Sequence, residues 1–447
     1  MGMPSTEADN TFEQLLQGLP PEIVEQAVEL KAFRRSRKIR SATELFRMIL
    51  MFAGLDMTER EVAANLLLTN PRLKQLSDQA VHKRLVGCDQ WLKSILLRLI
   101  DMQPLPANSA GRRIIVVDGT SVRAPGANQT SYRLHVRMDL VSLQLSSIDV
   151  TTGKVGEKLR LLKVERGNIY LADRGYCCRQ DVDHVLSGGG DVIVRFNPNN
   201  FPICDASGGG IDIAKHLRKI KPGETATLAV NFENKQGEIK PVWIHCVHLT
   251  GRALEISRRR CHRGGQQCGF KPSERALMVN EFVLVLSTIA PEELDAKAVL
   301  EIYRCRWQIE LLIKRWKSLL SFNRLRARQS SPTCNVYLTG KLLYALLLER
   351  RMHNRLGQQS GQMDQKRDRT CWRLWKLMRQ EINPMITGVS SWVRDDWQSV
   401  IEAITERRSN RQLQRIPIEV VIWLAKQNAI KEMSVQLQTI DPSEIAA

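Results

Sequence analysis

The 447-residue chain has no apolar stretch near the ~18 consecutive residues of a membrane span; its longest obvious run is Leu342 to Leu348. A bilayer-spanning helix is therefore excluded. The opening MGMPSTEADN is polar and acidic, with no basic segment leading into an apolar one, so no signal peptide is expected and the chain reads as cytoplasmic. Its ten cysteines have no regular spacing, which fits reduced thiols rather than a disulfide framework. The glycine triplets at 188–190 and 208–210 lack the Lys-Ser/Thr of a phosphate loop. His245, Cys246, Cys261, His262 and Cys268 carry zinc-compatible atoms without the spacing of paired knuckles. No internal repeat or low-complexity tract is present. Acids are also scarce relative to bases, 47 Asp+Glu against 66 Lys+Arg, for a net charge of +19. That surplus favours polyanionic partners, nucleic acid above all.

The composition that remains, 43% hydrophobic and 25% charged, belongs to an ordinary globular chain of two or three structural units. Residues 1–105 read as helical, with apolar positions at helical spacing in Thr43–Ala53, Glu59–Leu68 and Gln79–Val86. Thr58 and Ser77 are the expected N-caps of two of these helices. Before them, residues 31–40 hold Lys31, Arg34, Arg35, Arg37, Lys38 and Arg40 and no acid. Beside two short helices of helix-turn-helix proportions, this run points to DNA contact. Gln79, His82, Lys83 and Arg84 are the candidate contacts from the second helix. Residues 106–200 form an α/β segment with strands expected at Ile114–Val117, Leu134–Val141, Leu143–Val150, Ile169–Ala172 and Val192–Phe196. Residues 201–280 are glycine-containing and β-like, as in Thr227–Phe232 and Val242–Val247, with no long helical period. Residues 281–350 return to the α/β style, with a long helix expected from about Pro291 to Leu320, and residues 351–447 read as mostly helical.

Asp118 follows Ile114-Ile115-Val116-Val117, a run without alternation that suits a strand buried on both faces. Asp173 closes Ile169-Tyr170-Leu171-Ala172 in the same way. Either acid alone reads most simply as a turn or helix cap; two at the ends of buried strands suggest the rim of an α/β sheet, where ligands bind. On a helical wheel, Tyr303, Arg306, Glu310 and Lys317 share one narrow stripe along about 21 Å of helix, bordering the apolar face. Arg306 and Glu310, four residues apart, could simply pair. Between Arg304 and Arg328, however, eight cations accompany the single acid Glu310, which makes it a candidate metal ligand.

Tyr303-(2)-Arg306-(3)-Glu310-(6)-Lys317 resembles the Y-(2)-R-(3)-E-(6)-K signature of bacterial insertion-sequence transposases of the DDE class, the IS-four type. Asp118 in VVDGTSV and Asp173 in LADRGY resemble that family's first and second catalytic aspartates. The resemblance implies an RNase H-like catalytic core in residues 106–200 and 281–350, interrupted by a β-rich insertion at 201–280. It flanks that core with a DNA-binding head at 1–105 and a helical region at 351–447. It further implies that Asp118, Asp173 and Glu310 ligate two Mg²⁺ or Mn²⁺ ions for cleavage at transposon ends and strand transfer into target DNA. Tyr303, Arg306 and Lys317 would hold the strand. The implied partners are the terminal inverted repeats and target DNA, with a homodimer in the synaptic complex that Trp372, Trp375, Trp392 and Trp397 form or support. The insertion would add Arg258, Arg259, Arg260 and Arg263. An aromatic accepting a flipped base is also implied there, although Trp243 and Phe270 read as core residues. Two alternatives stay open from sequence: an RNase H-like nuclease without strand transfer, and a catalytically silent DNA-binding protein derived from a transposase.

Overall fold

The computed structural model describes residues 7–70, 73–102, 111–329, 331–357, 371–388 and 416–427. Six helices open the chain: α1 (Glu7–Leu16), α2 (Ile23–Glu29), α3 (Ala42–Ile49), α4 (Glu59–Thr69), α5 (Asp78–Leu85) and α6 (Asp89–Asp101). Three of them, α3, α4 and α5, start at side-chain caps, which satisfy amides that the first turn leaves open. Ser41 accepts from the Glu44 amide at 3.0 Å. Thr58 and Glu61 form a reciprocal capping box, and Ser77 accepts from the Ala80 amide at 3.3 Å. The expected caps at Thr58 and Ser77 are thus in place. Between α3 and α4 the chain widens into a buried π-turn, Leu50–Gly54.

One eight-stranded sheet follows. Its strands are β1 (Ile114–Val122), β2 (Tyr132–Asp139), β3 (Leu145–Thr152), β4 (Ile169–Ala172), β5 (Asp191–Arg195), β6 (Thr225–Glu233), β7 (Ile239–His248) and β8 (Phe282–Ser287). In space the order is β3-β2-β1-β4-β5-β8-β7-β6, with β1, β4 and β5 parallel and every other neighbour antiparallel. Helix α7 (Arg179–Ser187) joins β4 to β5, and α8 (Ile213–Leu217), α9 (Gly251–Gln267) and α10 (Glu274–Asn280) lie within residues 201–280. The chain then runs through α11 (Ala296–Cys305), α12 (Trp307–Leu320), α13 (Cys334–Gly357) and α14 (Cys371–Thr387). The mixed α/β architecture is the one the sequence led us to expect.

Successive side chains on a strand point to opposite faces, and each face has its own apolar cluster. Ile114, Val116, Ile169, Leu171 and Ile193 pack with the opening helices, α11, α12, α13 and α14. Ile115, Val117, Tyr170, Ala172, Val192 and Val194 pack with α7 and α8 on the other side.

Three local expectations are corrected. Asp118 does not end β1: the strand runs on to Val122, because β2 pairs with it through Val122↔Tyr132 after the β4 ladder has stopped at Val116↔Leu171. The expected long helix is two helices meeting at Arg306. There the Arg306 amide bonds the Tyr303 carbonyl at 3.1 Å and the Ile309 amide bonds the Arg306 carbonyl at 3.2 Å, three-residue steps that replace four-residue ones. Residues 201–280 are not β-like throughout. Strands β6 and β7 continue the main sheet, and α9 is a 17-residue helix.

Candidate functional site

Parallel register sets the geometry. Val116 pairs with Leu171 and Ala172 with Val194. Continuing each ladder past its last pair brings Asp118, Asp173 and Arg195 to one level on three adjacent strands. All three share the parity of Val116, Leu171 and Ile193, so they face the cluster beneath α11 and α12.

Those helices present the other half of the site. The Tyr303 hydroxyl donates to Asp173 Oδ1 at 3.3 Å. The Arg306 guanidinium pairs with Glu310, lies 5.8 Å from the Tyr303 ring centroid, and is within electrostatic reach of Asp118 and Asp173. Its Nε is buried without a hydrogen-bond partner. Lys317 is half-buried farther along α12, in a hollow it lines with Thr120, Ser121 and Asn323. The three acids therefore share the Arg306 guanidinium as a neighbour. Among the described residues, no three His, Cys, Asp or Glu side chains form a ready metal cluster.

Burial pushes the Asp118 carboxyl up to about 6, and the negative charges of Glu157 and Glu310 add to it. The Gly119 amide, 2.8 Å from Asp118 Oδ1, and the Arg306 charge work against that rise. Burial likewise pushes the Tyr303 phenol up to about 12, so at neutral pH it remains a donor. Arg195 is shifted down from the usual arginine range, also by burial.

Sequence reasoning missed two neighbours. Arg195 ends the buried run Val192–Val194 as Asp173 ends its own, so the same signal was available for it. Glu157 pairs with Arg133 at 2.8 Å, and a side chain at Gly119 would collide with it, its Oε1 lying 2.5 Å from an ideal Cβ. It sits in a loop that gives no local cue.

In the head, Gln79 and Lys83 are exposed one turn apart on α5. His82 and Arg84 are engaged within the protein: His82 Nδ1 lies 2.8 Å from Glu59 Oε1, and Arg84 donates to the Arg35 carbonyl at 2.7 Å. That second bond joins the basic segment to α5, with Arg34, Arg35, Arg37, Lys38 and Arg40 all exposed beside it. In the insertion, His245 and Cys246 are consecutive on β7 and point to opposite faces, so they cannot ligate one ion together. Phe270, read from sequence as a core residue, is 60% exposed after the positive-φ Gly269 that follows α9. Trp243 is half-buried on β7. Trp375 is fully buried with Arg315 over its ring, Trp372 is half-buried, and Trp392 and Trp397 lie outside the described residues.

Residues 109–333 match the model of the family described as Transposase DDE domain. The chain is 31% identical over 338 residues to the InsL protein of insertion sequence element IS186A from Escherichia coli (strain K12), covering 74% of this chain and 90% of that one. It is also 31% identical over 339 residues to the transposase for insertion sequence element IS421 from Escherichia coli, covering 74% and 91%. The transposase for insertion sequence element IS231C from Bacillus thuringiensis subsp. berliner is 23% identical over 372 residues, covering 74% and 77%.

Proposed function

The chain belongs to the DDE transposases of insertion sequences, and from that premise we propose that Asp118, Asp173 and Glu310 are its catalytic acids and the ligands of two Mg²⁺ or Mn²⁺ ions. It is a DNA transposase, and its family generally uses divalent metal ions. The donor set fits such ions: three carboxylates offer hard oxygen ligands, with the guanidinium of Arg306 as a shared counter-charge and Arg195 beside Asp173. Bound there, the ions would stabilise the attacking and leaving oxygens of an in-line displacement at phosphorus.

The protein's own side chains do the rest. Asp118 must be ionised to hold a metal, a form that burial disfavours while the site carries no cation but Arg306 and Arg195 beside it. Tyr303 keeps its proton and steadies Asp173. Arg306, Lys317 and Arg195 hold phosphates of the cleaved strand, and an arriving phosphate competes with Glu310 for Arg306. In the head, exposed Gln79 and Lys83 read the terminal inverted repeat, while Arg34, Arg35, Arg37, Lys38 and Arg40 grip its backbone. His82 and Arg84 brace that surface. Phosphate contacts position the duplex and base contacts specify it. Two copies act together as a homodimer on two transposon ends.

The observation that carries this reading is the level row of Asp118, Asp173 and Arg195 facing Tyr303, Arg306 and Glu310. The test uses DNA ends identified as paired inverted repeats flanking the gene. Asp118→Asn, Asp173→Asn and Glu310→Gln should bind these ends like wild type and lose Mg²⁺-dependent cleavage and the joining of pre-cleaved ends. Wild-type cleavage by all three variants overturns the assignment. Cleavage by wild type without any joining makes the protein a nuclease instead.

A further inference from the structure

We propose that the outer face of α9 is a second, sequence-independent binding surface for the phosphate backbone of duplex DNA, beside the catalytic end of the sheet. This rests on the transposase reading and goes further by assigning residues to a contact that the signature positions do not supply.

Helix α9 carries five arginines and one acid, Glu255, in 17 residues. Its inner face is set by what touches α10 and its flank: Leu254, Ser257, Cys261, Gly264 and Gly265 are buried or half-buried. There Ser257 donates to the Asn280 carbonyl, and Arg258 is held by Glu281 at 2.6 Å. At about 100° per residue, Arg252, Arg259 and Arg263 fall on the opposite side and Arg260 on the flank, and all four are exposed. Arg259 has only a loose contact with Glu255, at 3.7 Å between two exposed side chains. Such a pair contributes little. Arg252, Arg260 and Arg263 have no ion-pair partner among the described residues. From Arg252 to Arg263 the helix rises about 16 Å, roughly five base-pair steps of 3.4 Å. A helix with no apolar stripe gains little from the core, so the outer charges call for a solvent-side partner of opposite sign.

The sheet register puts the start of α9 at the same end of the sheet as the chemistry. Arg195 pairs with Val285, and Val285 with His245, so β7 crosses the level of Asp173 and Arg195 and leaves the sheet three residues later at His248. Helix α9 starts from that same end, three strand spacings, or about 14 Å, from β4. Of the arginines singled out by sequence, Arg258 is structural, and Arg252 replaces it on the binding face.

The experiment compares the full-length protein with an Arg252→Gln/Arg259→Gln/Arg263→Gln variant on three fluorescent duplexes. One carries a transposon end trimmed at the cleavage point, the second the same end with 15 bp of flanking DNA (a length of about three times the arginine span), and the third is random-sequence DNA. With circular dichroism and melting unchanged, log K against log salt should lose about 2.7 of its slope, roughly 0.9 per contact, on the random duplex. A loss on the flanked end alone would place the face on flanking DNA, and an equal loss on both ends would place it on the transposon side. Arg260→Gln added to the triple should lower the slope further. An unchanged slope on all three duplexes overturns this inference while leaving the transposase reading intact. Failure of wild type to bind any duplex overturns both.

Discussion

Asp118 is held where its charge is disfavoured, and this makes a catalytic group a stability liability. Its carboxyl is raised from 3.8 to about 6, so the folded protein binds a proton that the unfolded chain releases between those values. The sign follows from linkage. Below pH 4 the residue costs nothing, and above pH 6 the full penalty applies, on the order of 3 kcal/mol. Asp118→Asn should therefore stabilise the protein at pH 8 and leave it unchanged near pH 4, with urea midpoints at the two pH values as the measurement. Equal midpoints for variant and wild type at pH 8 would mean that the carboxylate is solvated. Arg306 shows the opposite economy of charge, since its guanidinium lies within electrostatic reach of all three acids and leaves its Nε without a hydrogen bond.

The opening helices meet α13 through two close approaches. A Cβ on Gly54 would lie 2.7 Å from the Tyr344 ring, and one on Gly340 would lie 2.8 Å from Ala53 Cβ. Gly340→Val should cost about 1–3 kcal/mol through overpacking, visible as a lower urea midpoint, while cleavage per folded molecule stays at the wild-type level. A midpoint equal to wild type would show that the two helices can separate freely. Elements like these differ in how plainly the sequence announces them. Unbroken apolar runs ending in a charge marked β1, β4 and the two aspartates, and capping residues marked α4 and α5. The extension of β1 through Gly119, Thr120 and Ser121 was hidden because antiparallel pairing to β2 supports it, a partner distant in sequence. The break at Arg306 has neither proline nor glycine to signal it. Helix α9 has no apolar period to detect, and the continuity of β6 and β7 with the main sheet depends wholly on pairing to β8.

At the scale of the whole molecule, one apolar cluster runs from Phe12 through Leu45, Ile114, Ile302 and Leu343 to Trp375 and Leu424. The head, one face of the sheet and the described tail thus share a single interior. A buried polar knot reinforces the junction: Lys341, fully buried on α13, and the Tyr337 hydroxyl both bond Asp56 in the loop before α4. Residues 106–350 expressed alone should therefore bind a hydrophobic dye strongly and melt without a cooperative transition, because Leu342, Leu343 and Leu346 lose their cover. A sharp two-state melt of that fragment would contradict the shared interior. The same interior limits how such proteins can diversify. Exchanging the reading head between relatives would import a foreign half of a jigsaw, so new target repertoires are reached more readily by single replacements at outward positions such as Gln79 and Lys83 than by shuffling whole modules.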